Sequence, residues 1–303
     1  MAEDFLKDKV VLVTGSGRGI GREIALLLAS KGASIVVNDI GAGLFGQQEK
    51  ESPGDEVVRE IKQNGGKAVA NGDSVSDFTG AQNMVAQALK EFGRLDAVVN
   101  NAGILRDSVF HKMMPEDFDA VIKVHLYGSF NVSRAAAEHF RKVESGCYVH
   151  MTSTAALIGN IGQANYMAAK MGIVGLSRSI ATDMQRYNVR SNCIAPFADT
   201  RMTRSVVVPP DRKAAREARL LAMPAAAVAS LTGALVSDAC KDITGQVFGI
   251  RGGEVFVFSQ PRPIRSVHHQ DGWSAEGLAA VLPKFGSVFA PVSEMVMTWD
   301  PIE

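Results

Sequence analysis

The feature that most constrains this chain is an alternation that runs through its first two hundred residues. Short apolar runs rich in β-branched residues are followed by stretches whose apolar residues recur at helical spacing. Val10 to Val13 ends in glycines, and Glu23 to Ser30 carries Ile24, Leu27 and Leu28 on one helical face. Ser34 to Val37, Lys67 to Ala70, Ala97 to Asn100, Gly146 to Met151 and Val189 to Ile194 read as further strands. Asp55 to Asn64, Phe78 to Phe92, Pro115 to His139 (in two pieces) and Tyr166 to Tyr187 read as the intervening helices. Strands separated by helix-length segments imply βαβ units, right-handed crossovers and a parallel sheet covered on both faces. The expected fold class is therefore α/β, a doubly wound parallel sheet.

Two stretches interrupt the rhythm. Gly41 to Gly54 is a polar, glycine-bearing loop longer than most α/β connections. Ala198 to Pro224 holds Pro209-Pro210 and then a basic helical patch of Arg212, Lys213, Arg216 and Arg219. From about Pro261 the composition changes, and Ser274 is placed to cap a short helix through Leu282. We expect one domain over residues 1–260, with 261–303 as a C-terminal extension packed on it or on a partner subunit.

Composition narrows the function classes. Hydrophobic residues make up 46% and charged residues 21% of 303, with a net charge of zero. No long-range field then favours nucleic acid or an anionic membrane. Cys147, Cys193 and Cys240 are scattered, which argues against a disulfide framework or structural zinc site, and His268-His269 is a poor chelate. No metal is expected. The charged N-terminus lacks the core of a secretory signal, and no apolar run approaches the ~20 residues of a membrane span. The C-terminus Asp300-Pro301-Ile302-Glu303 is not a peroxisomal ending, so the expected compartment is the cytoplasm.

The string Thr14-Gly15-Ser16-Gly17-Arg18-Gly19-Ile20-Gly21 lies between the first strand and the first helix. Glycines there allow a tight turn and close approach to a pyrophosphate, which meets free N–H groups at the helix start. Asp39 closes the second strand about 20 residues on, where a carboxylate accepts hydrogen bonds from the adenosine ribose. It would repel a 2′-phosphate and so favours NAD. Arg18 points the other way, toward NADP, but Asp39 stands closer to the 2′ position. Asp73, with Ser74 and Val75 after the third strand, is a candidate for the adenine side. Asn100-Asn101-Ala102-Gly103 ends the fourth strand with small residues that let backbone meet cofactor.

Tyr166 and Lys170 are four apart on one helix and share a face. A tyrosine, with a reference pKa near ~10, is too weakly acidic to serve as a base at neutral pH. A lysine ammonium nearby favours the phenolate. Ser153 closes the preceding strand in Met151-Thr152-Ser153-Thr154, at the carboxyl ends of the parallel strands where ligands bind.

Together, Thr14 to Gly21, Asn100 to Gly103, Ser153 and Tyr166 to Lys170 resemble the short-chain dehydrogenase/reductase family over about residues 5 to 255. The resemblance implies a Rossmann-type sheet of about seven strands and an NAD(P)-dependent oxidoreductase acting on CH–OH groups. It implies Tyr166 as proton donor and acceptor, Lys170 as ribose clamp and pKa depressor, and Ser153 as substrate orienter. Pro196 and Ala198, after the sixth strand, fall beside the nicotinamide. One departure is His125, in Val124-His125-Leu126-Tyr127-Gly128, where the family usually carries an asparagine that supports a kink and a relay water. His125 either takes over through its backbone carbonyl or is a packed helix histidine. The usual Val-Asp-Gly-Gly near the last strand is also altered, to Gly249-Ile250-Arg251-Gly252-Gly253.

Further stretches resemble the branch of that family forming the (3R)-hydroxyacyl-CoA dehydrogenase part of peroxisomal multifunctional enzymes. They are Val36 to Asp39, Gly65 to Asn71, Asn101 to Asp107, Val124-His125-Leu126 and Gly162 to Tyr166. The likeness implies oxidation of a (3R)-hydroxyacyl-CoA with NAD, and it fades after about Thr203. A hydroxysteroid or sterol side-chain substrate is the alternative, and a non-catalytic nucleotide sensor is the alternative of another class. The basic patch is either a site for CoA phosphates or a solvated helix face. Met202, Val206 to Val208 and Met223 either line an acyl or sterol slot or pack as a lid. A homodimer or homotetramer is expected from the family habit of packing long helices across two-fold axes.

Overall fold

The computed structural model describes residues 5–41, 52–204, 211 and 213–291. The strands are β1 (Val10–Thr14), β2 (Ser34–Asn38), β3 (Lys67–Asn71), β4 (Ala97–Asn100), β5 (Gly146–Met151), β6 (Val189–Phe197), β7 (Val247–Arg251) and β8 (Glu254–Val257). They form one sheet in the order β3-β2-β1-β4-β5-β6-β7-β8. Every pairing from β3 to β7 is parallel, and β8 is antiparallel to β7. The strand order reverses between β1 and β4, which opens a crevice at the carboxyl ends of these strands.

The strands are apolar along their length because both faces are covered. β1, Val-Val-Leu-Val-Thr, is buried at every position. Its register sets Val13 beside Val37 and Val99. On one face Val11, Val13, Ile35 and Val149 pack against Ile24 and Leu28 of α1 (Gly19–Ser30), Ile61 of α2 (Pro53–Gln63) and Val228 and Leu235 of a later helix. On the other, Leu12, Val36, Val98 and Tyr148 meet Met84 of α3 (Phe78–Phe92) and, beyond α4 (Pro115–Ile122), Val132 and Phe140 of α5 (Gly128–Val143). Burying each such side chain stabilises the fold by about 1.5–3 kcal/mol.

The remaining helices are α6 (Thr154–Leu157), α7 (Ala164–Met184), α8 (Arg201–Arg204), α9 (Lys213–Leu221), α10 (Ala225–Val236) and α11 (Ala275–Val281). α10 is the late helix that lies on α1. Its carboxyl end is closed by buried Arg190, whose guanidinium donates to Leu235 O at 2.6 Å, Cys240 O at 3.0 Å and Ser237 O at 3.2 Å. A cation there satisfies the orphan carbonyls and opposes the helix dipole.

The expected strands and helices are present, α3, β4 and β5 with the expected bounds. Two features go beyond expectation. An eighth strand follows the seventh through Gly252-Gly253, with Gly252 at φ +54° and Arg251 opposite Glu254. A two-residue glycine turn suits a tight hairpin. The second is a helical stretch, Lys213–Val236, apolar enough by composition to cross a membrane, where no such run was expected. It is α9 and α10 divided at Pro224, with α10 packed on α1. Most of the Gly41 to Gly54 loop, together with Val206 to Val208, Pro209-Pro210 and Arg212, lies outside the described residues.

Within the extension, Ser274 caps α11 by accepting from Gly277 N–H at 3.0 Å. A 3₁₀ segment, Leu282–Val288, follows. The Arg265 guanidinium stacks 5.5 Å from the Phe285 ring centroid, while Ile264 and Phe289 are exposed.

Candidate active site

The glycine-rich turn between β1 and α1 is shaped by contacts that leave no room for side chains. Gly15 has φ +60°, and a Cβ there would lie 2.8 Å from Ala102 Cα. A Cβ on Gly21 would lie 2.5 Å from Asn101 Nδ2 and closer still to Gly15 O. Gly19 also has positive φ, at +54°, but opens outward, with only Thr200 Cγ2 near, at 3.9 Å. Thr14 braces the turn: its Oγ1 accepts from Asn101 N at 3.0 Å and Ala102 N at 3.1 Å. Asn101 answers by donating Nδ2 to Thr14 O at 3.0 Å and Gly15 O at 2.9 Å. Its amide nitrogen is thus engaged in the turn.

Asp39 lies against this turn. Its Oδ2 accepts from Gly17 N–H and its Oδ1 from Gly41 N–H, each at 2.9 Å. Arg18, half-buried, is the N-cap residue of α1, whose first turn has neither a side-chain cap nor an acidic residue. Ile20 follows in that turn. Asp73 is held by Asn71 Nδ2 at 2.9 Å, and Ser74 Oγ meets Ser76 Oγ at 2.8 Å. Val75 is buried in the core, and its carbonyl accepts from Asn131 at 3.0 Å.

The second half of the crevice is built by β5 and α7. Ser153 follows β5 and caps α6, accepting from Ala155 N–H at 3.2 Å. α7 carries Tyr166 and Lys170 one turn apart. Lys170 is 4% exposed; its Nζ donates to Met151 O at 2.6 Å and stands 5.6 Å from the Tyr166 ring centroid. Thr152 Oγ1 donates to Lys170 O at 2.8 Å, tying α7 to the strand end. Asn165 fixes the start of α7: its Nδ2 donates to Arg106 O at 2.8 Å and its Oδ1 accepts from Tyr166 N–H at 2.7 Å. Pro196 on β6 pairs with Ile250, and Ala198 is buried just beyond.

Burial dominates the electrostatics. It pushes Lys170 down from 10.5 to about 7. It raises Tyr166 above 10, opposed by a hydrogen bond with Ser153 and reinforced by Asp107. The net shift of Tyr166 is upward because the cost of enclosing a phenolate outweighs the hydrogen bond with Ser153.

His125 occupies a π-helical turn, Lys123–Tyr127, joining α4 to α5. It is 2% exposed, and its ring meets that of Tyr166 edge-on at 5.3 Å. Nε2 lies 3.0 Å from Ile104 N and 2.8 Å from Ile104 O, while the His125 carbonyl accepts from Gly128 N–H. Gly103 leaves space for the ring; a Cβ there would run into His125 Cε1. Burial and the charge of Lys170 lower His125 to about 3, so it is neutral. The side chain is a packed support for the loop after β4, set in the kink.

On the substrate side, part of the basic patch is taken up internally. Arg216 donates to Thr203 O, and Arg204 bridges Asp199 at 2.6 Å and Glu217 at 3.1 Å. Met223 is buried with Phe197 and Leu220 beneath Phe256. Among the described residues, no group of three His, Cys, Asp or Glu is placed to hold a metal.

The residues present fit a dinucleotide. The uncapped start of α1, the outward opening at Gly19 and the carboxylate against the turn supply anion-binding N–H groups and a ribose acceptor at one crevice. Thr14, Thr152 and Asn165 were not singled out from sequence as site residues. Thr14 and Thr152 stand inside the motifs, but their partners are set by the fold alone.

Residues 9–208 match the family described as short chain dehydrogenase. Mouse (Mus musculus) peroxisomal multifunctional enzyme type 2 is 48% identical over 66% of this chain. The match covers 27% of that enzyme, so the chain spans about a quarter of its length. Hydroxyacyl-CoA dehydrogenase ChsB1 of Mycobacterium tuberculosis is 39% identical, covering 90% of this chain and 84% of that one. The crystal structure of a short chain dehydrogenase from Mycobacterium avium is similar with a TM-score of 0.84 and 38% identity, covering 96% of this chain and 99% of that one.

Proposed function

The chain belongs to the short-chain dehydrogenase family, as an oxidoreductase acting on CH–OH groups, and from that premise we propose that it oxidises (3R)-hydroxyacyl-CoA to 3-ketoacyl-CoA with NAD. The observation that carries the reading is the Ser153, Tyr166 and Lys170 group at the carboxyl end of β5, with Lys170 buried and Ser153 and Tyr166 half-buried. The hydroxyacyl-CoA relatives supply the substrate class, and Asp39 beside Gly17 supports NAD over NADP.

Bound NAD supplies the acceptor for the hydride leaving the carbinol carbon. Ser153 Oγ holds the substrate oxygen. Tyr166, as phenolate, takes the hydroxyl proton while that oxygen becomes the ketone; in the reverse direction it returns the proton. Lys170 would hold the ribose, and while charged its ammonium favours the phenolate against the burial that raises Tyr166.

The test is NADH formation with NAD and a medium-chain (3R)-hydroxyacyl-CoA, run beside the (3S) isomer, NADP and a hydroxysteroid. Turnover confined to the (3R) thioester with NAD is expected. Turnover of the steroid alone overturns the substrate class. NAD binding without turnover on any of them overturns the hydroxyacyl-CoA reading and moves the substrate search to other secondary alcohols. We also infer a homodimer or homotetramer; a sedimentation run showing only monomer at micromolar concentration overturns it.

A further inference from the structure

Behind the catalytic pair runs a chain of buried polar side chains that the proposed chemistry does not use. Asn100, at the end of β4, donates Nδ2 to Ser133 Oγ at 2.9 Å and reaches His150 Nδ1 at 3.1 Å. His150 Nε2 lies 3.2 Å from Ser191 Oγ on β6, which lies 2.8 Å from Ser177 Oγ on α7. Asn100 is 4% exposed, Ser177 2%, and His150 and Ser191 0%. The chain crosses three adjacent strands and ends on the helix that carries Tyr166 and Lys170.

Its polarity can be deduced link by link. An amide NH₂ only donates, so His150 Nδ1 accepts. A neutral imidazole with an accepting Nδ1 carries its proton on Nε2 and donates to Ser191 Oγ. The Ser191 hydroxyl is then free to donate to Ser177. Burial and the nearby charge of Lys170 hold His150 at about 3, so the ring stays neutral through the working range.

The geometry ties this chain to Lys170. Lys170, Ile173 and Ser177 share the buried face of α7. Ser177 lies two turns beyond Lys170, about 10 Å along the axis. α7 is thus tied to the sheet side at Lys170 O by Thr152 and, two turns on, at Ser177 by Ser191. His150 also directly precedes Met151, whose carbonyl receives the Lys170 ammonium.

We propose that His150, as its Nε2–H tautomer, is a positioning residue that sets the axial register of α7 through Ser191 and Ser177 and so places the Lys170 ammonium. The assignment of catalytic work to Lys170 rests on the function proposed above; the placement of Lys170 does not.

Two measurements on the full chain test it. Nitrogen NMR of labelled histidine should show His150 as the Nε2–H tautomer at neutral pH; an Nδ1–H tautomer or an imidazolium overturns the proposal. The Lys170 titration, followed by NMR and assigned with Lys170→Met, should move up by about one pH unit in His150→Leu as the ammonium leaves its pocket. kcat should fall about ten-fold, which is ~1.4 kcal/mol of lost transition-state stabilisation, with little change in the substrate KM. His150→Gln offers an acceptor and a donor at similar spacing, and should restore both readouts to within about three-fold. A folded His150→Leu with a wild-type Lys170 titration overturns the proposal, as does a Gln variant no better than Leu. If the Leu variant does not fold, Ser177→Ala trims the same chain at its α7 end, and an unmoved Lys170 titration there is equally fatal. If the wild type does not oxidise the thioester, the functional reading fails, while the tautomer and the lysine titration still decide this one.

Discussion

The Lys170 ammonium is held by the Met151 carbonyl at 2.6 Å, inside a site that lowers its pKa to about 7. A buried ammonium costs stability whenever it is charged in the fold. Between about pH 7 and the unfolded value of 10.5, the unfolded chain binds the extra proton, so stability rises with pH across that window. Below about 7 both states are charged and the cost is full. Lys170→Met is therefore expected to be more stable than wild type near pH 6, by about 1–4 kcal/mol, while inactive. Its advantage should shrink by up to ~1.4 kcal/mol per unit as pH rises above 7. Urea midpoints along a pH series check this; a constant difference would mean that Lys170 titrates normally.

Tyr166→Phe keeps the ring contact with His125 but removes the proton carrier. Turnover should fall by about 10²–10⁴. NAD affinity, read by fluorescence, should stay within a few-fold. Retained turnover would move the proton transfer to another group.

Asp39→Ser should raise the ratio of kcat/KM for NADP over NAD by at least about ten-fold, ~1.4 kcal/mol. The carboxylate that accepts from Gly17 and Gly41 would repel a 2′-phosphate, on the cofactor reading proposed above. An unchanged ratio would confine Asp39 to bracing the loop.

His125 and His150 are both lowered to about 3 by burial and by Lys170. The unfolded chain binds their protons from about pH 6.5 downward, so the stability they contribute is complete above that value and is lost toward 3. The slope for each is up to ~1.4 kcal/mol per unit. Unfolding midpoints between about pH 6.5 and about pH 4.5 should fall accordingly, less steeply in His150→Gln. An equal slope in the variant would show that His150 does not contribute.

Gly21→Ala drives a Cβ into Gly15 O and Asn101 Nδ2. The backbone oxygen cannot yield as a side chain would, so a loss of about 1–3 kcal/mol is expected, with weakened NAD binding. Calorimetry together with cofactor titration reads both effects.

The sheet was legible because its strands alternate with helices at two distinct periods, and glycines mark the first turn. α10 was not singled out: Ala225 to Val236 is apolar all round because it packs between α1 and the sheet, so it lacks the one-sided stripe that identifies a helix. β8 escaped because it returns through a glycine hairpin, outside the strand–helix rhythm. Ser153, Tyr166 and Lys170 could be read from spacing and strand ends. The raised pKa of Tyr166 could not, since it depends on enclosure by the whole fold. Nor could the grip of Asn165 on Arg106 O, which spans 59 positions of sequence.

The π-helical turn at Lys123–Tyr127 makes this helix pair sensitive to chain length. A π turn holds one residue more than the α turn it replaces. Deleting a single residue there would let α4 and α5 fuse into one continuous helix. The π turn absorbs its extra residue, so side chains downstream would keep nearly the same faces after such a deletion. Val132, Ala136 and Phe140 would stay turned toward the core, while His125 would lose its place beside Ile104. The turn is therefore a local bulge that sets His125 without altering the face that α5 presents to the sheet. A deletion in this segment should cost the site far more than it costs the core.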